Sequence, residues 1–128
     1  MNILLDTHFV LWFLGLVERL AKNTRAALES GRYNCHVSIV SLWEISIKHS
    51  LGKLELKDGL RGTFAAIGTS NLVLLDLVKD HLLALAQLPL LHRDPFDRLL
   101  IAQAKHEGMH LLTADPAFRA CDVALVDL

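Results

Sequence analysis

Short apolar runs alternate with segments of helical spacing along the whole chain, and this alternation constrains the fold more than any other feature. Ile3–Asp6 reads as a short buried strand, with a helix following from about Thr7. A second helix is expected over about 17–30, closed by Gly31, and CHVSIVS (35–41) is rich in β-branched residues and reads as a strand. Helices follow over Ser41–Leu51, stopped at Gly52, and over Asp58–Ile67, ended by Gly68. The third strand is LVLLDL (72–77), and the next helix, Lys79–Leu88, ends before Pro89. Pro95–Glu107 is a helix closed by Gly108, HLLTA (110–114) a strand, Pro116–Arg119 a single helical turn and VALVDL (123–128) a last strand. Strands that alternate with helices predict the α/β class, with a central, mostly parallel, twisted sheet between two helical layers. No linker, repeat or low-complexity tract interrupts residues 1–128, so one domain is expected.

Composition bounds the partners. Apolar residues make up 52% and charged residues 21% of the chain. That excess predicts apolar surface covered by a partner, including a second copy of the chain in a two-fold dimer. The net charge of −1 provides no global basic field for nucleic acid, so phosphate binding has to be local or carried by metal ions. The apolar N-terminal run lacks a basic flank and contains Asp6 and His8, which argues against a signal peptide. Its uninterrupted part, Phe9–Val17, is short of the roughly 20 residues that span a bilayer. A cytoplasmic protein is expected. Cys35 and Cys121 lack CxxC spacing and read as free, packed thiols.

In DPFDRLLIAQA (94–104), Asp94 is a good N-cap and Pro95 suits the first helical position. Asp97, however, leads a stripe with Leu100, Ile101 and Ala104 that should face the core, whereas Arg98, Ala102 and Lys105 form a wetter face. A carboxylate on an apolar stripe needs a reason. Three more acids fall where a parallel sheet binds ligands, beyond the carboxyl ends of its strands: Asp6 ends the first strand, Glu44 lies on the first turn of the helix after the second, and Asp115 follows the fourth. Each has a local alternative. Asp6 and Asp115 suit N-caps, and Ser41 with Glu44 matches a capping box. Together, four converging carboxylates repel unless divalent cations lie among them. Oxygen-only ligands select hard ions such as Mg²⁺ or Mn²⁺, and the absence of His and Cys speaks against zinc. Such an ion activates water and neutralises a phosphodiester during hydrolysis.

LLDTHFVLW, SIVSLWEISIKHSLGKL, HRDPFDRLLIAQA and LLTADPAF, in this order, resemble the motifs of PIN-domain proteins, in particular the VapC-type toxins of bacterial and archaeal toxin–antitoxin pairs. The resemblance spans nearly the whole chain. It implies a parallel sheet between helices, Mg²⁺- or Mn²⁺-dependent endoribonuclease activity on RNA, a cognate antitoxin and a homodimer. Asp6, Glu44, Asp97 and Asp115 match the family's acidic quartet, as catalytic and metal-binding residues. Asp97 rather than Asp94 takes the third place, because it directly precedes the apolar run; Asp94 is left as a cap and at most a secondary contributor. Thr7 and Thr113 are candidate hydroxyl helpers, or else local caps.

Lys48, Lys53, Lys57, Arg93 and Arg98 are candidates for RNA phosphates, with a solvated face as the alternative. Trp12 and Trp43 read as core or dimer packing ahead of base stacking. The seven His residues show no ligand spacing, although His8 and His92 lie near acidic motifs. Two other classes use similar parts: a Mg²⁺-dependent phosphatase or phosphotransfer domain, and a non-catalytic binding module. The first expects an acidic pair or DxD after the first strand, where this chain has Asp-Thr-His; the second expects a decayed acidic set, and all four acids are present.

Overall fold

The computed structural model describes residues 1–16, 22–89, 94–120 and 124–125. Four strands, β1 (Asn2–Leu5), β2 (Asn34–Ser38), β3 (Val73–Leu75) and β4 (His110–Leu112), form one sheet in the order β3-β2-β1-β4, with every pairing parallel. The helices are α1 (Thr7–Phe13), α2 (Lys22–Glu29), α3 (Ile39–Ser50), α4 (Gly59–Thr69), α5 (Lys79–Ala86) and α6 (Pro95–Glu107), followed by a 3₁₀ turn over Pro116–Ala120. This is the expected α/β class.

Alternation along the strands builds two cores, because successive strand side chains point to opposite faces. Ile3, Leu5, Cys35, Val37 and Leu112 pack with α1, α2, α3 and α4 on one face. Leu4 and Leu111, which are register partners, pack with Leu99, Leu100, Ile101 and Ala104 of α6 and with Phe118 on the other. β1 lies between β2 and β4, and its Ile3, Leu4 and Leu5 are fully buried. Burial on both faces is why this strand reads as a continuous apolar run.

Several expected boundaries shift. The second strand ends at Ser38, not residue 41, because the Ser38 hydroxyl accepts the Val40 amide and caps α3 three residues early. α4 continues through Gly68 to Thr69, and α5 ends at Ala86. α6 keeps both its ends: Asp94 accepts the amides of Phe96 and Asp97, and Gly108 closes it in the left-handed region at φ +68°, where a side chain is strained. Its middle is enclosed on all sides. Leu100, Ile101 and Ala104 face the core as expected, but Ala102 is also fully buried rather than wet, in a helix that packs against α5 and α3 as well as the sheet. The start of the expected 17–30 helix and most of the expected 123–128 strand, with Cys121, lie outside the described residues; Leu125 makes one parallel bridge to Leu111. Cys35 is buried and free, and burial raises its thiol pKa.

Candidate functional site

The carboxyl ends of β1, β2 and β4 lie side by side, and the chain leaves each of them through a polar residue. Asp6 directly follows β1. One of its oxygens caps α1 by accepting the Phe9 amide at 2.8 Å, and the other accepts the Thr113 hydroxyl at 2.5 Å. Thr113 follows β4, and its hydroxyl oxygen in turn accepts the Asp115 amide at 3.1 Å. A single threonine therefore fastens the exits of β1 and β4 together. Asp6 is buried, and burial raises its pKa; the Thr113 and Phe9 bonds oppose that rise, as does nearby His8, while Glu44 adds to it.

Glu44 lies on the second turn of α3, not the first, and does not serve the capping box its sequence suggests, since Ser38 takes the cap. It is 4% exposed, and both of its oxygens are engaged. One accepts the Thr7 hydroxyl at 2.7 Å and the other meets the Lys48 ammonium at 2.8 Å. The Thr7 proton is committed to the carboxylate, so the 2.9 Å contact between Thr7 and Ser41 has Ser41 as donor.

Asp97, on the first turn of α6, is part-buried. Its carboxyl is pushed up to about 7, first by burial and then by the charges of Asp94, Glu44, Asp6 and Asp115. A carboxyl that senses four others is the structural signature of a shared acidic site. Asp115 is exposed and accepts the Ala117 amide at 2.9 Å, capping the 3₁₀ turn as its sequence alternative suggests. Asp6 and Asp115 thus cap the elements that follow them, and their charges, with those of Asp94 and Glu44, act on Asp97.

Among the described residues, no three His, Cys, Asp or Glu side chains are drawn together tightly enough to enclose a metal ion as they stand. The buried oxygens of Asp6 and Glu44 are instead engaged by two hydroxyls, one amide and one ammonium. In kind, the donors fit a hard divalent cation: all are carboxylate oxygens, and the mutual repulsion seen at Asp97 is what such a cation relieves.

The expected basic contacts resolve differently. Lys48 is partly exposed, with its ammonium engaged by Glu44. Lys53 and Lys57 are exposed. Arg98 turns its guanidinium toward the Leu88 carbonyl, at 3.5 Å, with its Nε buried and without a hydrogen-bond partner among the described residues. Arg93 and His92 lie outside the described residues. Trp12 packs against Phe9 beside the core, as expected. Trp43 does not belong to the core: it is 52% exposed and meets Phe96 edge to face at 4.9 Å. Each of these two aromatics immediately precedes a site acid, a juxtaposition that neither motif reveals alone. Ser41 was also missed as a contact of Thr7, because its place in an apparent capping box gave it another role.

The PIN-domain family model matches residues 3–124. The chain belongs to the PIN-domain family. Its fold is similar to VapBC2 from Rickettsia felis, solved bound to a DNA fragment from their promoter, with a TM-score of 0.74 at 16% identity over 99% of this chain and 98% of that one. It is also similar to FitAcB from Neisseria gonorrhoeae (TM-score 0.69, 20% identity, 98% and 96% covered) and to a toxin–antitoxin complex from Klebsiella pneumoniae (TM-score 0.64, 16% identity, 97% and 96% covered). A comparison with curated protein sequences gives no match. No described helix is long and apolar enough to cross a membrane.

Proposed function

We propose that this PIN domain is the toxin of a toxin–antitoxin pair and acts as a metal-dependent endoribonuclease. The observation that carries the reading is the bonding of Thr113 to Asp6 and of Thr7 to Glu44 beside the sheet's carboxyl ends, with Asp97 at the head of α6 raised to about 7 first by burial and then by the charges of Asp94, Glu44, Asp6 and Asp115. Asp6, Glu44, Asp97 and Asp115 would hold Mg²⁺, with Mn²⁺ as substitute. When bound, the ion supplies an activated water and neutralises the phosphodiester. The chain's own residues keep the acids in place: Thr113 holds Asp6, Thr7 holds Glu44, and Asp94 fixes the first turn that carries Asp97.

Exposed apolar side chains on α5, Leu82 and Leu83, with Val78 just before it and Val73 and Leu74 on the edge strand β3, support the expectation of an antitoxin and a second copy as partners. The partners named for the structurally similar proteins point the same way. Cytoplasmic location belongs to this reading.

The test is cleavage of a single-stranded RNA with Mg²⁺, with Mn²⁺ and with a chelator, using wild type and Asp97→Asn. New RNA ends are expected only for wild type with an ion. Cleavage that survives chelation would overturn the metal reading.

A further inference from the structure

Lys48 stands one helical turn beyond Glu44, and its ammonium meets a Glu44 oxygen at 2.8 Å. On an open helix face this would be an ordinary i,i+4 pair. Here the two ends differ: the Lys48 side chain is 41% exposed, whereas the Glu44 side chain is only 6% exposed. The opposite Glu44 oxygen is fixed by Thr7, whose neighbour Asp6 begins the acidic site. Lys48 thus reaches in from solvent to place a positive charge on a buried carboxylate that shares its site with other acids.

We propose, resting on the metal reading above, that Lys48 is a positioning residue whose ammonium serves as the resident counter-cation of Glu44 in the metal-free protein and gives up that oxygen when a divalent ion loads. Two features make the exchange feasible. The lysine stem is flexible and half exposed, so its ammonium returns to water at little cost. The Thr7 bond stays behind and keeps Glu44 aimed. Lys48 then tunes metal affinity downward, because the ion displaces an existing charge pair and meets a like charge nearby.

The sign of this effect separates it from a merely structural role. Calorimetric Mn²⁺ titration of the full chain is expected to show Lys48→Met binding at least fivefold tighter than wild type, with Lys48→Arg within about twofold of wild type because the charge is kept. Melting in chelator checks that each variant is folded, and Lys48→Gln provides a second neutral side chain should Lys48→Met not fold. Equal or weaker Mn²⁺ affinity in the folded neutral variant overturns the counter-cation role alone. Absence of Mn²⁺ binding by wild type and variant alike overturns the metal reading and this proposal with it.

Discussion

The Thr7 hydroxyl and the Glu44 carboxylate, 37 residues apart in the chain, meet at 2.7 Å in a buried seam between α1 and α3. The bond joins the exits of β1 and β2 as the Thr113 bond joins those of β1 and β4. Thr7→Val preserves the shape and removes the donor, leaving a buried carboxylate oxygen unsatisfied. A loss of about 1–3 kcal/mol is expected in denaturant unfolding. Nuclease activity should fall at least tenfold, and Thr7→Ser should restore most of both. Full activity in Thr7→Val would remove Thr7 from the site.

Asp94 and Asp97 share one helix start but do different work. Asp94→Asn keeps an N-cap acceptor, so stability should change by less than about 1 kcal/mol and most RNA cleavage should persist. Asp97→Asn should abolish cleavage and raise the melting temperature of the metal-free protein, because one of several repelling charges is gone. Mn²⁺ should then stabilise the variant less than wild type. The reverse pattern of activities would exchange the two roles.

The metal-free protein should lose stability as pH rises. Asp97 titrates near 3.8 when unfolded and at about 7 when folded, so across that interval the folded state binds more protons. Stability therefore declines from about pH 4 to pH 7 and levels off above. Buried Asp6, also raised, adds a contribution of the same sign. Melting curves in chelator should show this slope, and Asp97→Asn should flatten it; a slope unchanged in the variant would place its origin elsewhere.

A second polar seam lies behind the site. Fully buried Gln103 of α6 accepts the Ser38 hydroxyl at 2.5 Å and donates to the Asp76 carbonyl at 3.3 Å. Its amide also lies 3.3 Å from Nδ1 of buried His81, which accepts the Val78 amide, while Nε2 of that ring meets Glu107 at 3.2 Å. Gln103→Leu strands the buried Ser38 hydroxyl, with an expected cost of about 1–3 kcal/mol. Chemical unfolding measures it; a cost under 0.5 kcal/mol would mean water or rearrangement replaces the seam.

What was legible in the sequence was local or periodic. Asp94-Pro95 and Gly108 mark the ends of α6 because capping chemistry is written within a few residues. Asp6 and Thr113 follow the carboxyl ends of β1 and β4, which parallel topology sends to the same side. What was not legible depended on neighbours far along the chain. The run Ser38-Ile-Val-Ser41 suits a strand or a helix start equally, and the choice is made where Ser38 finds both Val40 and Gln103. Ala102 is buried although its spacing sets it with Arg98 and Lys105. Lys48 sits at the right spacing to pair with Glu44, but nothing local says that Glu44 is buried.

The central place of β1 also sets an order of birth. The strand synthesised first takes one neighbour from residues 34–37 and the other only from residues 110–112. On a ribosome, Asp6 and Glu44 emerge long before Asp97, Thr113 and Asp115 exist to join them, and the late pairing is of the long-range, slow kind. The proposed nuclease site therefore cannot assemble until the chain has been made through residue 115, which delays any cleavage past the emergence of Asp6 and Glu44.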